Sequence, residues 1–281
     1  PHPGLSHAMQ APRILVTRPA HDAAAWVQAL ADHGLQAEAL PLIAIGPCQG
    51  SAARQALLQA RNAARVPGHW RALMFVSGNA VQYFFGSNQD SEPDGWAQAA
   101  PDLRVWAPGP GTAHSLMLQG FAAGRIDAPP PDAAQFESET LWQVVRHQVR
   151  AGDRVLIVRG ASQDAGGSPA GGTGTTGAGR EWLAARLREA GAEVEFLAVY
   201  ERQLPRWSEA QRSLARQAAR DGSLWLFSSS EAVANLQQLL PHEDWHQGRA
   251  LATHERIAQQ ALRAGFGLVR QSRPSLDAVI T

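Results

Sequence analysis

The stretch FVSGNAV (75–81) returns almost unchanged, at an offset of 152 residues, as FSSSEAV (227–233). Each copy closes a short apolar run, ALMFVS (72–77) or LWLFSS (224–229), and then passes into a segment of helical period. An apolar run that is too short for a helix, ends at a serine and leads into a helix reads as a buried strand and its strand-to-helix corner. Around these corners the rest of the chain repeats in the same order. DRVLIVRG (153–160) matches PRILVTRP, with Arg159 in the place of Arg18. EWLAARLREAG matches AAWVQALADHG, both closing on Leu, three residues and Gly (Leu187 and Gly191, Leu30 and Gly34). AEVEFLAVYER parallels LQAEALPLIAI, and RALATHERIAQQALRAGF parallels LRVWAPGPGTAHSLMLQGF. In that last pair Ala113 and Ala258, Gly120 and Gly265, and Phe121 and Phe266 keep an offset of 145. Ordered matches of this kind mark an internal duplication of one α/β unit. The expected fold is therefore α/β: two similar domains with parallel sheets flanked by helices, flavodoxin- or Rossmann-like. Helices are expected from about Asp22 to His33, from Gly78 or Asn79, and from about Thr112 to Gln119. Only ASQDAGGSPAGGTGTTGAG (161–179) breaks the parallel, and its Gly, Ser and Thr content reads as a flexible loop.

Bulk properties narrow the function. At 281 residues the chain is long enough for two domains with separate cores. Hydrophobic content of 44% and charged content of 18% are those of a globular protein, and no apolar segment is long enough to span a membrane. A formal net charge of zero argues against nucleic-acid or membrane-surface binding. The opening residues PHPGLSHAMQAP (1–12) read as a disordered leader without a signal-peptide core. With Cys48 as the single cysteine no internal disulfide is possible, which suits a reducing cytoplasm. All 25 basic residues are arginine. The absence of lysine excludes a lysine Schiff base and a Gly-Lys phosphate loop. Arginine remains charged and grips carboxylate or phosphate with a planar fork.

In an open parallel sheet, ligands bind at the carboxyl ends of strands, where helix N-termini present unpaired N–H groups. Ser77, Thr112 and Ser229 fall at such junctions. There a hydroxyl either caps its own helix or leaves the amides free for an anion. Arg18 and Arg159 at neighbouring strand ends suit a polycarboxylate or phosphate ligand. HEDWH (242–246) formally matches the zinc pattern H-E-x-x-H, but Pro241 and Gln247-Gly248 leave no sustained helix to carry it. No metal site is expected. GPGT (109–112) is an incomplete dinucleotide fingerprint, with His114 at the third glycine's place. Cys48 has no evident catalytic partner. Tyr200 ends the apolar run VEFLAVY; it either packs and makes one hydrogen bond or donates a proton from the cleft edge.

Taken in order, ILVTRPAHDAAAWVQALADHGLQAEALPLI (14–43), LMFVSGNAV (73–81), VWAPGPGTAHSLMLQGF (105–121), VLIVRG (155–160), GREWLAARLREAGAEVEFLAVYER (179–202) and WLFSSSEAV (225–233) resemble bacterial uroporphyrinogen-III synthases over about residues 13–281. The resemblance implies two α/β domains joined by a two-stranded linker. Residues 13–36 plus 204–281 would form one domain, 47–193 an inserted second, and 37–46 and 194–203 the linker strands. It implies a cofactor-free lyase that dehydrates and cyclises hydroxymethylbilane to uroporphyrinogen III with inversion of ring D. That reaction belongs to haem, sirohaem and cobalamin biosynthesis. The substrate brings its own electrophile, so orientation and protection of the cation would be the protein's main tasks. Tyr200 matches the family tyrosine proposed to assist departure of the hydroxyl. Ser77, Asn79, Thr112, Ser228 and Ser229 would bind acetate and propionate groups, with Arg18, Arg159 and Arg180 as further carboxylate partners. Arg256 stands where the family often has Thr or Ser. The resemblance further implies a cytoplasmic monomer supplied by hydroxymethylbilane synthase. The alternative is a non-catalytic protein of the same architecture that binds a polycarboxylate or phosphate in its interdomain cleft.

Overall fold

The computed structural model describes residues 11–86, 100–133, 138–161, 175–273 and 275–281. Among them the chain divides into two compact units, one drawn from residues 11–45 and 202–281, the other from residues 46–161 and 175–201. The expected leader lies outside the described residues over 1–10, as does the Gly-rich loop over 162–174. No helix among the described residues is long and apolar enough to cross a membrane.

The first unit is built on β1 (Ile14–Val16), β2 (Ala37–Ala39), β9 (Leu224–Phe227), β10 (Arg249–Ala252) and β11 (Leu268–Gln271), in the order β11-β10-β9-β1-β2. Every pairing in it is parallel. The second unit carries β3 (Ala44–Pro47), β4 (Ala72–Phe75), β5 (Arg104–Trp106), β6 (Ile126–Asp127), β7 (Arg154–Gly160) and β8 (Glu193–Gln203), in the order β3-β8-β7-β4-β5-β6. Its β8-β7-β4-β5-β6 pairs are parallel as well. With β3 set aside, the two sheets have the same plan. β2-β1-β9-β10-β11 corresponds to β8-β7-β4-β5-β6, so each half of the sequence supplies strands to both sheets. The strand order reverses between β1 and β9 in the first unit and between β7 and β4 in the second. Such a switch point is where an open α/β sheet leaves a crevice.

Parallel strands covered by helices on both faces read as continuous apolar runs. β4 shows why: all four of its residues are buried, with Leu73 and Phe75 in one core layer and Ala72 and Met74 in the other. In the first unit, Leu15, Trp225 and Phe227 face one layer while Ile14, Val16 and Leu226 face the second. The helices follow the apolar spacing. α1 (Ala20–Asp32) buries Ala23 and Leu30, α3 (Gly78–Phe85) buries Ala80, Val81, Phe84 and Phe85, and α8 (Ser230–Leu239) buries Val233 and Leu236. The remaining helices are α2 (Ser51–Ala64), α4 (Pro110–Leu118), α5 (Ser138–Val145), α6 (Thr175–Glu189), α7 (Glu209–Ala218), α9 (Glu255–Ala264) and α10 (Leu276–Ile280).

Three expectations differ from what is found. α4 starts at Pro110 and not at Thr112, because proline's fixed φ suits the first helical turn and its missing N–H has no partner to lose there. α6 begins at Thr175, inside the stretch expected to be a loop; once the turns around Leu183 and Leu187 are anchored in the core, each preceding residue adds one hydrogen bond. Residues 37–46 are not one extended strand. After β2 the chain turns inward at 40–43, burying Leu40, Leu42 and Ile43 in the first unit's core. There Leu40 and Leu42 donate to the carbonyls of Val16 and Thr17, and the Trp207 indole donates to the Pro41 carbonyl at 3.0 Å. The chain then passes between the units at residues 45–46 and 201–202, within β3 and β8.

Asn235 on α8 is buried and donates to the Leu42 carbonyl at 2.7 Å, fixing this inward turn. Asn235→Ala leaves that carbonyl buried without its partner. It is expected to lower stability by about 1–3 kcal/mol, read as a fall in the urea midpoint, whereas substitution of the exposed Gln237 to Ala leaves the midpoint unchanged.

Candidate functional site

At the switch point of the second unit, β4 delivers Ser77 and β7 delivers Arg159 and Gly160. Ser77 is the N-cap of α3, its hydroxyl accepting from the Ala80 amide at 3.2 Å. The same oxygen lies 3.2 Å from the Tyr200 hydroxyl. Serine thus satisfies its own helix and still reaches a phenol on β8, 123 residues later in the chain. Asn79 is exposed on the first turn of the same helix. The Tyr200 ring is half-buried against the core layer containing Leu197 and Val199, with the Tyr83 ring tilted over it at 5.9 Å between centroids.

Two of this unit's arginines, Arg159 at the end of β7 and Arg180 on α6, act on each other electrostatically. Arg159 stacks over the Phe196 ring at 4.0 Å and pairs with Glu181 at 3.7 Å. Burial pushes the Arg180 guanidinium below its ordinary range; the neighbouring Tyr200 acts against that shift and the like charge of Arg159 adds to it. Half-buried beside another cation, Arg180 would recover its ordinary charge preference by donating to an anionic partner. Thr112 is not a cap. Gly109 holds that position without a side-chain bond, and Thr112 is buried in the first turn of α4.

In the first unit the corresponding strand ends carry Arg18 after β1 and Ser228 and Ser229 after β9. Arg18 lies over the Trp26 ring at 4.2 Å, and burial lowers its pKa while Asp22 opposes the shift. Its Nε and the Ser228 hydroxyl are both buried without a hydrogen-bond partner. Buried polar groups are almost always satisfied, so two orphans on adjacent strand ends are an opening for a ligand oxygen. Ser229 caps α8 by accepting from the Glu231 amide at 3.1 Å. Arg256 is exposed in the first turn of α9, where His254 is the cap and accepts from the Arg256 amide at 3.1 Å.

Sequence reasoning missed Tyr83, which sits in the apolar run VQYFF, and Thr17, whose buried hydroxyl donates to the Leu226 carbonyl at 2.7 Å. Trp26 and Phe196, the stacking partners of the strand-end arginines, were also missed. Among the described residues no group of three or more His, Cys, Asp or Glu side chains is arranged to hold a metal ion. The HEDWH residues lie in a turn and not on a helix. Glu243 there pairs with Arg220, and His246 pairs with Asp244.

These features can be set beside known proteins. The family model described as uroporphyrinogen-III synthase HemD matches residues 24–166 and 174–281. A curated uroporphyrinogen-III synthase from Chlorobaculum parvum is 32% identical over 111 residues, an alignment spanning 39% of this chain and 39% of that protein's length. Among solved structures, uroporphyrinogen-III synthetase from Helicobacter pylori is similar at 16% identity and a TM-score of 0.46, over 86% of this chain and 89% of that one. A mutant uroporphyrinogen III synthase from Thermus thermophilus is similar at 13% identity and a TM-score of 0.42, over 96% of each chain. On the strength of a family match that takes in most of its length, the chain belongs to the uroporphyrinogen-III synthase family.

Proposed function

We propose that this protein is a uroporphyrinogen-III synthase, which takes linear hydroxymethylbilane to the cyclic tetrapyrrole with ring D inverted and one water released. The observation that carries the reading is the Tyr200 phenol 3.2 Å from the Ser77 hydroxyl, at the carboxyl ends of parallel strands, in a chain of this family. In this reading Tyr200 donates a proton to the departing hydroxyl of ring A, so that water leaves and an azafulvene cation remains. Ser77 accepts from or donates to the phenol and holds its oxygen in place. The substituted carbon of ring D attacks the cation, and the spiro intermediate breaks and recloses at the free carbon, losing a proton. The protein's contribution to these later steps is to hold the chain ends together and keep water away.

The carboxylates of the substrate need donors that remain charged or are already oriented. In the second unit these are Arg159, Arg180, Asn79, Thr112 and the amides beyond Ser77. In the first unit they are Arg18, Ser228, Ser229 and Arg256. Supply of the substrate by hydroxymethylbilane synthase, action as a monomer and a cytoplasmic setting belong to the same reading, the last supported by the single cysteine.

The decisive assay mixes the protein with freshly generated hydroxymethylbilane and separates the oxidised isomers. Uroporphyrin III is expected, and formation of the spontaneous type I isomer alone would remove the activity. Tyr200→Phe is expected to lower kcat by roughly 10- to 100-fold, at or below the lower end of a general acid's contribution, without unfolding the protein. An unchanged rate excludes the phenol from the proton transfer. Ser228→Ala removes a hydroxyl that has no partner in the free protein. It is expected to leave the melting temperature equal or higher while raising KM by about 3- to 10-fold, the worth of roughly one hydrogen bond. A lower melting temperature with KM unchanged would make Ser228 a purely structural residue.

A further inference from the structure

The position of the Tyr200 ring depends on a defect in the sheet. Along β8, Val194 and Phe196 pack on the layer formed by Val155 and Ile157, while Leu197 and Val199 pack on the opposite layer with Leu156 and Val158. Strict alternation would send Tyr200 to the side of Phe196. It goes instead to the side of Val199, against the layer that holds Tyr83. The pairing explains this reversal: Arg159 is opposite Ala198, but the next residue, Gly160, is opposite Tyr200, so β8 carries one extra residue at this point. Beyond the shift the strands pair again, the Ala161 amide donating to the Tyr200 carbonyl at 2.8 Å. Such bulges are uncommon in parallel pairs, and they re-aim a side chain.

The reversal requires room at the residue opposite. A Cβ placed on Gly160 would lie 2.5 Å from Cε2, 2.6 Å from Cζ and 3.0 Å from the hydroxyl oxygen of Tyr200. The first two are distances that carbon does not tolerate, so the ring has room there only because residue 160 carries no side chain. Tyr83 then leans on it at an interplanar angle of 34°, and Ser77 meets its oxygen.

We propose that Gly160 is a positioning residue: together with the register shift it forms the seat that aims the Tyr200 phenol at Ser77. The inference rests on the proton-donating role given to Tyr200 above, and two measurements separate it from that role. The first compares wild type, Gly160→Ala, Tyr200→Phe and the double variant in conversion of hydroxymethylbilane to the type III isomer. Gly160→Ala is expected to lower kcat about as much as Tyr200→Phe, with KM changed by less than about threefold, and to add less than about threefold in the Tyr200→Phe background. Losses that multiply in the double variant, or a Gly160→Ala enzyme with wild-type kcat, would overturn the proposal. The second measurement needs no substrate. Thermal unfolding of Gly160→Ala is compared in the wild-type and Tyr200→Ala backgrounds. The substitution is expected to lower the melting temperature in the first and leave it unchanged in the second, where the ring that it would strike is gone. An equal fall in both backgrounds means that Gly160 seats nothing, even if the protein folds and turns over. If no type III isomer forms in any variant, the activity is lost as a reading while this comparison still decides the seat.

Discussion

The first unit exists because β1 pairs with β9 across more than two hundred residues of chain: Ile14 with Leu224, Leu15 with Trp225 and Val16 with Leu226. Without that ladder β1 has only β2 beside it, and neither of the unit's two core layers closes. Leu15 would lose Trp225 and Phe227, and Val16 would lose Leu226, all of them fully buried. The pairing also creates the switch point, because the strands on either side of it are followed by chains leading away in opposite directions along the sheet. Arg18 and Ser228 are what emerge there, two residues beyond the last paired residues, Val16 and Leu226. The first unit's fold and its share of the candidate site are thus consequences of one long-range contact.

The equivalence of the two sheets makes this more than a local accident. β7 followed by α6 and β8 repeats β1 followed by α1 and β2, and β4 with α3 and β5 repeats β9 with α8 and β10. Matching strands end in matching chemistry: Arg159 and Arg18, Ser77 and Ser229. Each arginine also rests on an aromatic face, Phe196 in one case and Trp26 in the other. Stacking of this kind leaves the edge of the guanidinium, with its N–H donors, available to a carboxylate. The units diverge at the point of chemistry. Only the second has a tyrosine reaching the capping serine, and only there does the described sheet carry the register shift.

Much of the fold was legible because strands buried on both faces leave unbroken apolar runs; ALMF, VLIV and WLF were read directly as sheet. The duplication followed from the order of those runs. α2, α5 and α7 were not foreseen. α2 and α7 bury little more than alanines, Ala60 and Ala64 in one and Ala215 and Ala218 in the other, which gives periodicity little to register. The edge strands β6 and β11 were missed for a related reason, β6 having only two half-buried residues and β11 being short and largely exposed. In the site, Ser77 and Ser229 announced themselves as caps, whereas Tyr200, read as a strand end, lies within β8, which runs on to Gln203. The register shift did not, since one extra residue in a strand leaves the composition and the apolar count unchanged. Its single visible trace is the glycine that closes VLIVRG, and a glycine at a strand end has many ordinary explanations.

The division of the strands has a consequence for the order in which the polypeptide emerges during synthesis. All strands of the second sheet are available by Gln203, whereas the first sheet waits for β9, β10 and β11, the last of which ends at Gln271. β1 and β2 are made first and completed last. In the interval the apolar side chains of Ile14, Leu15 and Val16 have no native neighbours from the later strands, and the N–H and C=O groups of β1 facing β9 have no partners. The nascent chain therefore carries an unprotected, aggregation-prone edge at β1 until β9, beginning at Leu224, arrives to cover it.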